Sequence, residues 1–215
     1  MEHGAARAAV PLFGVPVAVK VNIDVAGMVT TAACASFAYT ASVDVGVVRQ
    51  LKQAGRVVMG KCNLDQFATG LQWIGVGGGA RAGALGTDTA GSGRVPAGFN
   101  GLKPTRGALS TAGVVPACRA LDCVSIFALN LDDACLAYDV VAQYEPDNPF
   151  SRRLPPPPPA PAATLRIAVD SNPQWHGDAA QEAAYHAALA SAGEHGCVGN
   201  QAIDGAYITS DMACV

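Results

Sequence analysis

Apolar residues alternate or cluster along this chain at two distinct periods. Residues 12–19 are almost wholly apolar, and Val15, Val17 and Val19 favour extended backbone, which predicts a buried strand with Lys20 at its end. Residues 44–53 place Val47, Val48 and Leu51 on one helical face and stop at Gly55, a common helix terminator. Residues 56–60 read as the next strand. A short helix is expected over 64–69, with Asn63 as its cap. Residues 72–83 are glycine-rich without period and read as loop, and 82–85 form a short apolar run. Further on, 123–129 predicts a strand, 131–143 a helix, 165–169 a strand and 178–192 an alanine-rich helix. Recurrent glycines at Gly193, Gly196, Gly199 and Gly205 make the tail read as poorly structured. Strands alternating with helices imply an α/β fold built on a layered mixed sheet with helices on both sides.

Three segments follow from this pattern: a core over 1–150, a proline-rich linker over 151–163 containing the run 155–159, and a strand-helix remnant with a tail over 164–215. A length of 215 residues is enough to bury a full core. Hydrophobic residues make up 50% and charged residues 14%, which excludes a disordered chain. A net charge of −3 offers no basic footprint for nucleic acid, and no apolar run reaches the length of a membrane span. The N-terminus shows no leader pattern. The seven cysteines are odd in number and lack a Cys-x-x-Cys pair, so buried free thiols in a reducing cytoplasm are expected. The four histidines lie apart from the cysteines, and no metal site is expected.

The densest chemical signal is Gly86-Thr87-Asp88-Thr89-Ala90-Gly91-Ser92-Gly93-Arg94-Val95-Pro96-Ala97. Small residues around one serine allow its hydroxyl to be held exposed, with the backbone N–H groups of Thr89, Ala90, Gly91 and Ser92 converging on one point. That is the construction of a nucleophile beside an oxyanion hole. The alternative for Ser92 is a helix N-cap, and for Lys20 an ordinary strand-end lysine. Arg94 suits a substrate anion or an internal carboxylate equally.

With the blocks Gly14-Val15-Pro16-Val17-Ala18-Val19-Lys20, Gly60-Lys61-Cys62-Asn63-Leu64-Asp65-Gln66-Phe67-Ala68-Thr69-Gly70 and Leu102-Lys103-Pro104-Thr105-Arg106-Gly107, the chain resembles the amidase signature family over roughly 11–150. The run from Gly113 to Arg119, followed by Leu121-Asp122-Cys123, points to the allophanate hydrolase branch. The resemblance implies a serine nucleophile at Ser92, a lysine base at Lys20 and a middle serine relaying the proton. It implies cleavage of a C–N amide bond, with allophanate giving ammonia and carbon dioxide through a serine acyl-enzyme, as in urea degradation. It implies no cofactor. The partners it implies are a small-molecule amide and, beyond it, a homo-oligomer or a urea carboxylase. The alternatives are an amidase for another small amide or a non-catalytic remnant. The chain departs from the family where the middle serine belongs: it reads Gly75-Val76-Gly77-Gly78-Gly79-Ala80-Arg81, and no serine or threonine lies between Thr69 and Thr87. No local hydroxyl is then expected to replace the relay, and a water is left to bridge Lys20 to Ser92. A tail from 199 to 215 without arginine lacks the cation expected to hold a substrate carboxylate.

Overall fold

A computed structural model describes residues 10–69, 83–93, 101–155, 165–170, 173–194 and 197–203. The chain divides into two compact units, Met1–Leu154 and Pro155–Val215.

The first unit is organised by a five-stranded mixed sheet. Its strands are β1 (Pro16–Lys20), β4 (Val57–Cys62), β5 (Gly83–Asp88), β6 (Gly101–Leu102) and β7 (Cys123–Phe127), in the order β4-β1-β5-β7-β6. β1 runs parallel to both β4 and β5, while β7 runs antiparallel to β5 and β6. A separate two-stranded ribbon pairs β2 (Val29–Thr30) with β3 (Tyr39–Thr40).

The period-2 pattern of β1 divides its side chains between two faces. Val17 and Val19 join Leu85, Val124 and Ile126 in one apolar cluster with residues from helices α1 (Gly46–Gln53) and α2 (Leu131–Val141). Val47, Val48 and Leu51 come from α1, and Ala134, Ala137 and Val141 from α2. Each fully buried Val or Leu contributes about 1.5–3 kcal/mol. Ala18, Cys62, Ala84 and Phe127 form a second cluster on the opposite face. Among the described residues both helices of this unit pack on one face, where two-sided flanking was expected.

Local chemistry sets the element boundaries. Leu12–Gly14 forms a turn rather than the start of β1, because the Leu12 and Gly14 amides donate to the carbonyls of Ala54 and Gly55 (both 2.9 Å). Gly55 sits at φ +90° against the Phe13 backbone, where a Cβ would lie 2.7 Å from Phe13 Cα. Only glycine fits there. Asn130 caps α2 by accepting from the Asp133 amide at 2.8 Å. The helix expected over 64–69 is a single 3-10 turn, Gln66–Ala68, with Asp65 rather than Asn63 at its cap. Positive φ at Phe67 (51°) and Ala68 (57°) stops it from propagating.

In the second unit β8 (Leu165–Asp170) and β9 (Cys197–Ile203) pair in parallel, with α3 (Ala179–Glu194) between them in sequence. A parallel pair needs such a crossover. The tail is therefore a strand over 197–203, against the expectation of poor structure. The proline run at 156–159 and the glycine loop at 72–82 lie outside the described residues.

Cys62 and Cys123 are buried, Cys34 is half-buried, and Cys118 and Cys135 are exposed. The burial expected of the thiols is found at Cys62 and Cys123 and not at Cys118 and Cys135. No helix among the described residues is long and apolar enough to cross a membrane. No metal-binding group of His, Cys, Asp and Glu occurs among those residues.

Candidate active site

Parallel pairing brings the C-terminal ends of β1 and β5 to the same edge of the sheet. The register sets Val19 beside Leu85, so Lys20 lies level with Gly86 and one step short of Thr87. From Asp88 the chain turns back through Gly91 and Ser92, carrying the serine over the end of β1. Lys20 has 0% exposure, although lysine is almost never fully buried without partners. Its partners are all present. Nζ donates to Thr87 Oγ1 at 2.9 Å, to the Thr87 carbonyl at 3.2 Å and to Ser92 Oγ at 3.2 Å. Ser92 Oγ in turn donates to the Thr87 carbonyl at 2.9 Å.

The lysine thus touches the serine directly, and the water bridge expected between them is not required. The relay expectation also missed a hydroxyl. Thr87 is buried and accepts from both Lys20 and Asn22 Nδ2, the latter at 3.1 Å. The signal for Thr87 was its place five residues before Ser92, at the end of a strand parallel to that of Lys20. Asn22 was visible only as a neighbour of Lys20 in sequence. Its Oδ1 is buried with no hydrogen-bond partner among the described residues.

Burial lowers the Lys20 amine from 10.5 to about 8, while Asp88, Asp65, Asp122 and Cys62 pull it partly back. At pH 7 about a tenth of such an amine is neutral and able to take a proton.

The turn is fixed from below. Asp88 Oδ2 accepts from the Gly93 amide at 3.0 Å, which pins the far end of the turn to the end of β5. Gly93 is packed so closely that a Cβ would lie 2.4 Å from Ser125 Oγ and 2.5 Å from Asp88 Cβ. From the side, Thr89 Oγ1 donates to Asp122 Oδ1. Asp122 is buried and also accepts the amides of Ala117 and Cys118, both at 3.1 Å. Of the other expected site residues, Gly91 is buried and Ala90 exposed within the turn. Arg94 lies outside the described residues.

The fold and its buried lysine–serine contact define an α/β protein of one particular kind. The sequence matches the Amidase family over residues 2–73 and 75–199, and the chain belongs to that family. It is 49% identical to urea amidolyase of Saccharomyces cerevisiae over 201 residues, covering 78% of this chain and 11% of that protein. The structure of Kluyveromyces lactis allophanate hydrolase superposes with a TM-score of 0.82 at 41% identity, covering 92% of this chain and 37% of that one. The K. lactis urea amidolyase structure gives 0.80 at 43% identity, covering 92% and 14%. The chain therefore spans only a minor part of each of these relatives.

Proposed function

We propose that this chain hydrolyses a small carboxylated amide, with allophanate as the candidate substrate, using Ser92 as nucleophile and Lys20 as base. The observation that carries the reading is the 3.2 Å contact between Lys20 Nζ and Ser92 Oγ in a site where both are buried. A serine hydroxyl is a weak nucleophile and needs a base within hydrogen-bond reach. Neutral Lys20 accepts the Ser92 proton as Oγ bonds to the substrate carbonyl carbon. The carbonyl oxygen becomes an oxyanion beside the amides of Thr89, Ala90, Gly91 and Ser92. Lys20 passes its proton to the departing nitrogen, the C–N bond breaks, and ammonia leaves an acyl-enzyme. Water, deprotonated by the same amine, releases the acyl group as N-carboxycarbamate, which loses one carbon dioxide to give carbamate and then breaks down to a second carbon dioxide and ammonia. Thr87 and Asn22 act on the amine's position rather than on the substrate. The chemistry calls for no cofactor.

The test is ammonia release from allophanate by the purified chain and by Ser92→Ala, with fluorophosphonate labelling of the hydroxyl in parallel. Turnover and labelling are expected in the native chain and neither in the variant. The short span relative to the K. lactis enzyme favours a second reading, a catalytically silent piece of a larger protein. That reading predicts a folded chain with neither activity. A self-associated chain, or a complex with a urea carboxylase, would then supply what this piece lacks.

A further inference from the structure

A second lysine stands behind the first. Lys61 lies on β4 in register with Val19 of β1, one residue before Cys62, which pairs with Lys20. It is half-buried, and the proposed reaction makes no use of it. Its Nζ donates to the Ile23 carbonyl and lies 3.5 Å from Thr30 Oγ1. Ile23 is fully buried, and its amide donates to the Lys20 carbonyl at 2.9 Å. The two bonds form one line: Lys61 holds Ile23, and Ile23 closes the turn that begins at Lys20.

That turn carries both Lys20 and Asn22, so its position sets how the amine meets Ser92 and how Asn22 meets Thr87. Backbone bonds hold its other sides. The Val21 amide donates to the Cys62 carbonyl (2.8 Å), the Val115 amide to the Asn22 carbonyl (2.8 Å) and the Asp24 amide to the Gly113 carbonyl (3.2 Å). The Lys61 bond differs in coming from a side-chain cation, and a charged donor bonds about twice as strongly as a neutral one. The cation is itself steadied from outside. Asp24 Oδ1 accepts from Thr30 Oγ1 at 2.6 Å and from the Tyr39 hydroxyl at 2.8 Å, which fixes the carboxylate that attracts Lys61. Burial lowers the Lys61 amine from 10.5 to about 8, against the pull of Asp24 and Cys62, so at pH 7 it is mostly charged.

We propose that Lys61 is a positioning residue for the reaction: by gripping the Ile23 carbonyl it fixes the turn from which Lys20 reaches Ser92. It acts through Lys20 and not on the substrate. The burial that sets the titration of Lys20 comes from β1 and β5 and does not depend on Lys61. What depends on Lys61 is how constantly Lys20 Nζ and Ser92 Oγ keep their 3.2 Å contact. The proposal rests on the Ser92–Lys20 reading, and the experiment separates the two.

Fluorophosphonate labelling of Ser92 is timed across pH 6–10 in the native chain, Lys61→Met, Lys61→Gln and Lys61→Arg, each shown to be folded by a denaturant melt. Lys61→Met keeps the apolar stem and loses the amine. It is expected to label about tenfold more slowly at every pH, with its midpoint still near pH 8, because a small misplacement of a catalytic group costs rate without changing its burial. Lys61→Gln keeps an N–H donor without the charge and falls between; Lys61→Arg keeps the charge and restores most of the rate. A methionine variant that labels at the native rate overturns the proposal, as does a midpoint that vanishes with Lys61. If the methionine variant does not fold, a glutamine variant that labels at the native rate overturns it equally. Hydrogen exchange gives a second reading. The Ile23 amide is expected to exchange faster in Lys61→Met or Lys61→Gln while the amides of α1 keep their native protection; an Ile23 amide unchanged overturns the proposal. Absence of labelling in the native chain overturns the Ser92–Lys20 reading instead, and exchange at Ile23 still decides whether Lys61 holds the turn.

Discussion

Replacing Lys20 by methionine should uncouple activity from stability. Methionine keeps much of the length and apolar stem of lysine and removes the amine. The folded state lowers the amine from 10.5 to about 8 by burial, so holding it charged costs about 3 kcal/mol relative to the unfolded chain. Methionine avoids that cost but forfeits the three hydrogen bonds to Thr87 Oγ1, the Thr87 carbonyl and Ser92 Oγ, each worth about 1 kcal/mol net. The two terms nearly cancel, and Lys20→Met at pH 7 should unfold within about 1 kcal/mol of the native chain. The balance then shifts with pH. Below about 8 the amine is charged in both folded and unfolded states and the cost is carried in full. Between about 8 and 10.5 the unfolded chain holds more protons than the folded one, so native stability rises with pH and the variant falls behind. Ser92 labelling should follow neutral Lys20, rising through a midpoint near pH 8 in the native chain. In the variant it should be 10²–10⁴-fold slower, about the contribution of a positioned base, without that midpoint. Denaturant melts at pH 7 and 10 and labelling rates across pH 6–10 measure both effects. A variant that labels at the native rate, or a native profile flat across pH 8, refutes the reasoning.

Two further substitutions probe the same geometry. Thr87→Val removes the acceptor shared by Lys20 and Asn22, so the charged amine loses a partner and the labelling midpoint moves below pH 8. Leaving Asn22 Nδ2 buried and unpaired costs about 1–3 kcal/mol in a denaturant melt, and Thr87→Ser restores both properties; a midpoint unchanged in the valine variant rejects this role. Gly93→Ala forces a methyl to within 2.4 Å of Ser125 Oγ and 2.5 Å of Asp88 Cβ, so it should lose about 1–3 kcal/mol and slow labelling by displacing the turn. Native melting and labelling in that variant would show that the turn has slack.

Much of the first unit was legible along the chain because its strands and helices are short runs with one buried face. The valines of β1 and the 47, 48, 51 stripe of α1 carry that information locally. Boundaries were less legible. β1 begins only at Pro16, because Leu12 and Gly14 spend their amides on the end of α1, a long-range contact with no local signature. β9 carries Gly199 and lies between Gly196 and Gly205, so its local pattern is that of a loose tail, and pairing with β8 is what makes it a strand.

The sequence by itself determined that Lys20 ends a buried strand and that Ser92 sits in a tight turn of small residues, because both properties are written in adjacent side chains. It did not determine how the two meet. The parallel register of β1 against β5, absent from any local pattern, sets Lys20 against Thr87 and turns Ser92 back onto its amine at 3.2 Å. Tertiary burial then lowers that amine toward neutrality. Distances between residues 72 positions apart, and the dielectric around them, are properties of packing, so only the folded chain could assign Thr87 its place between the two.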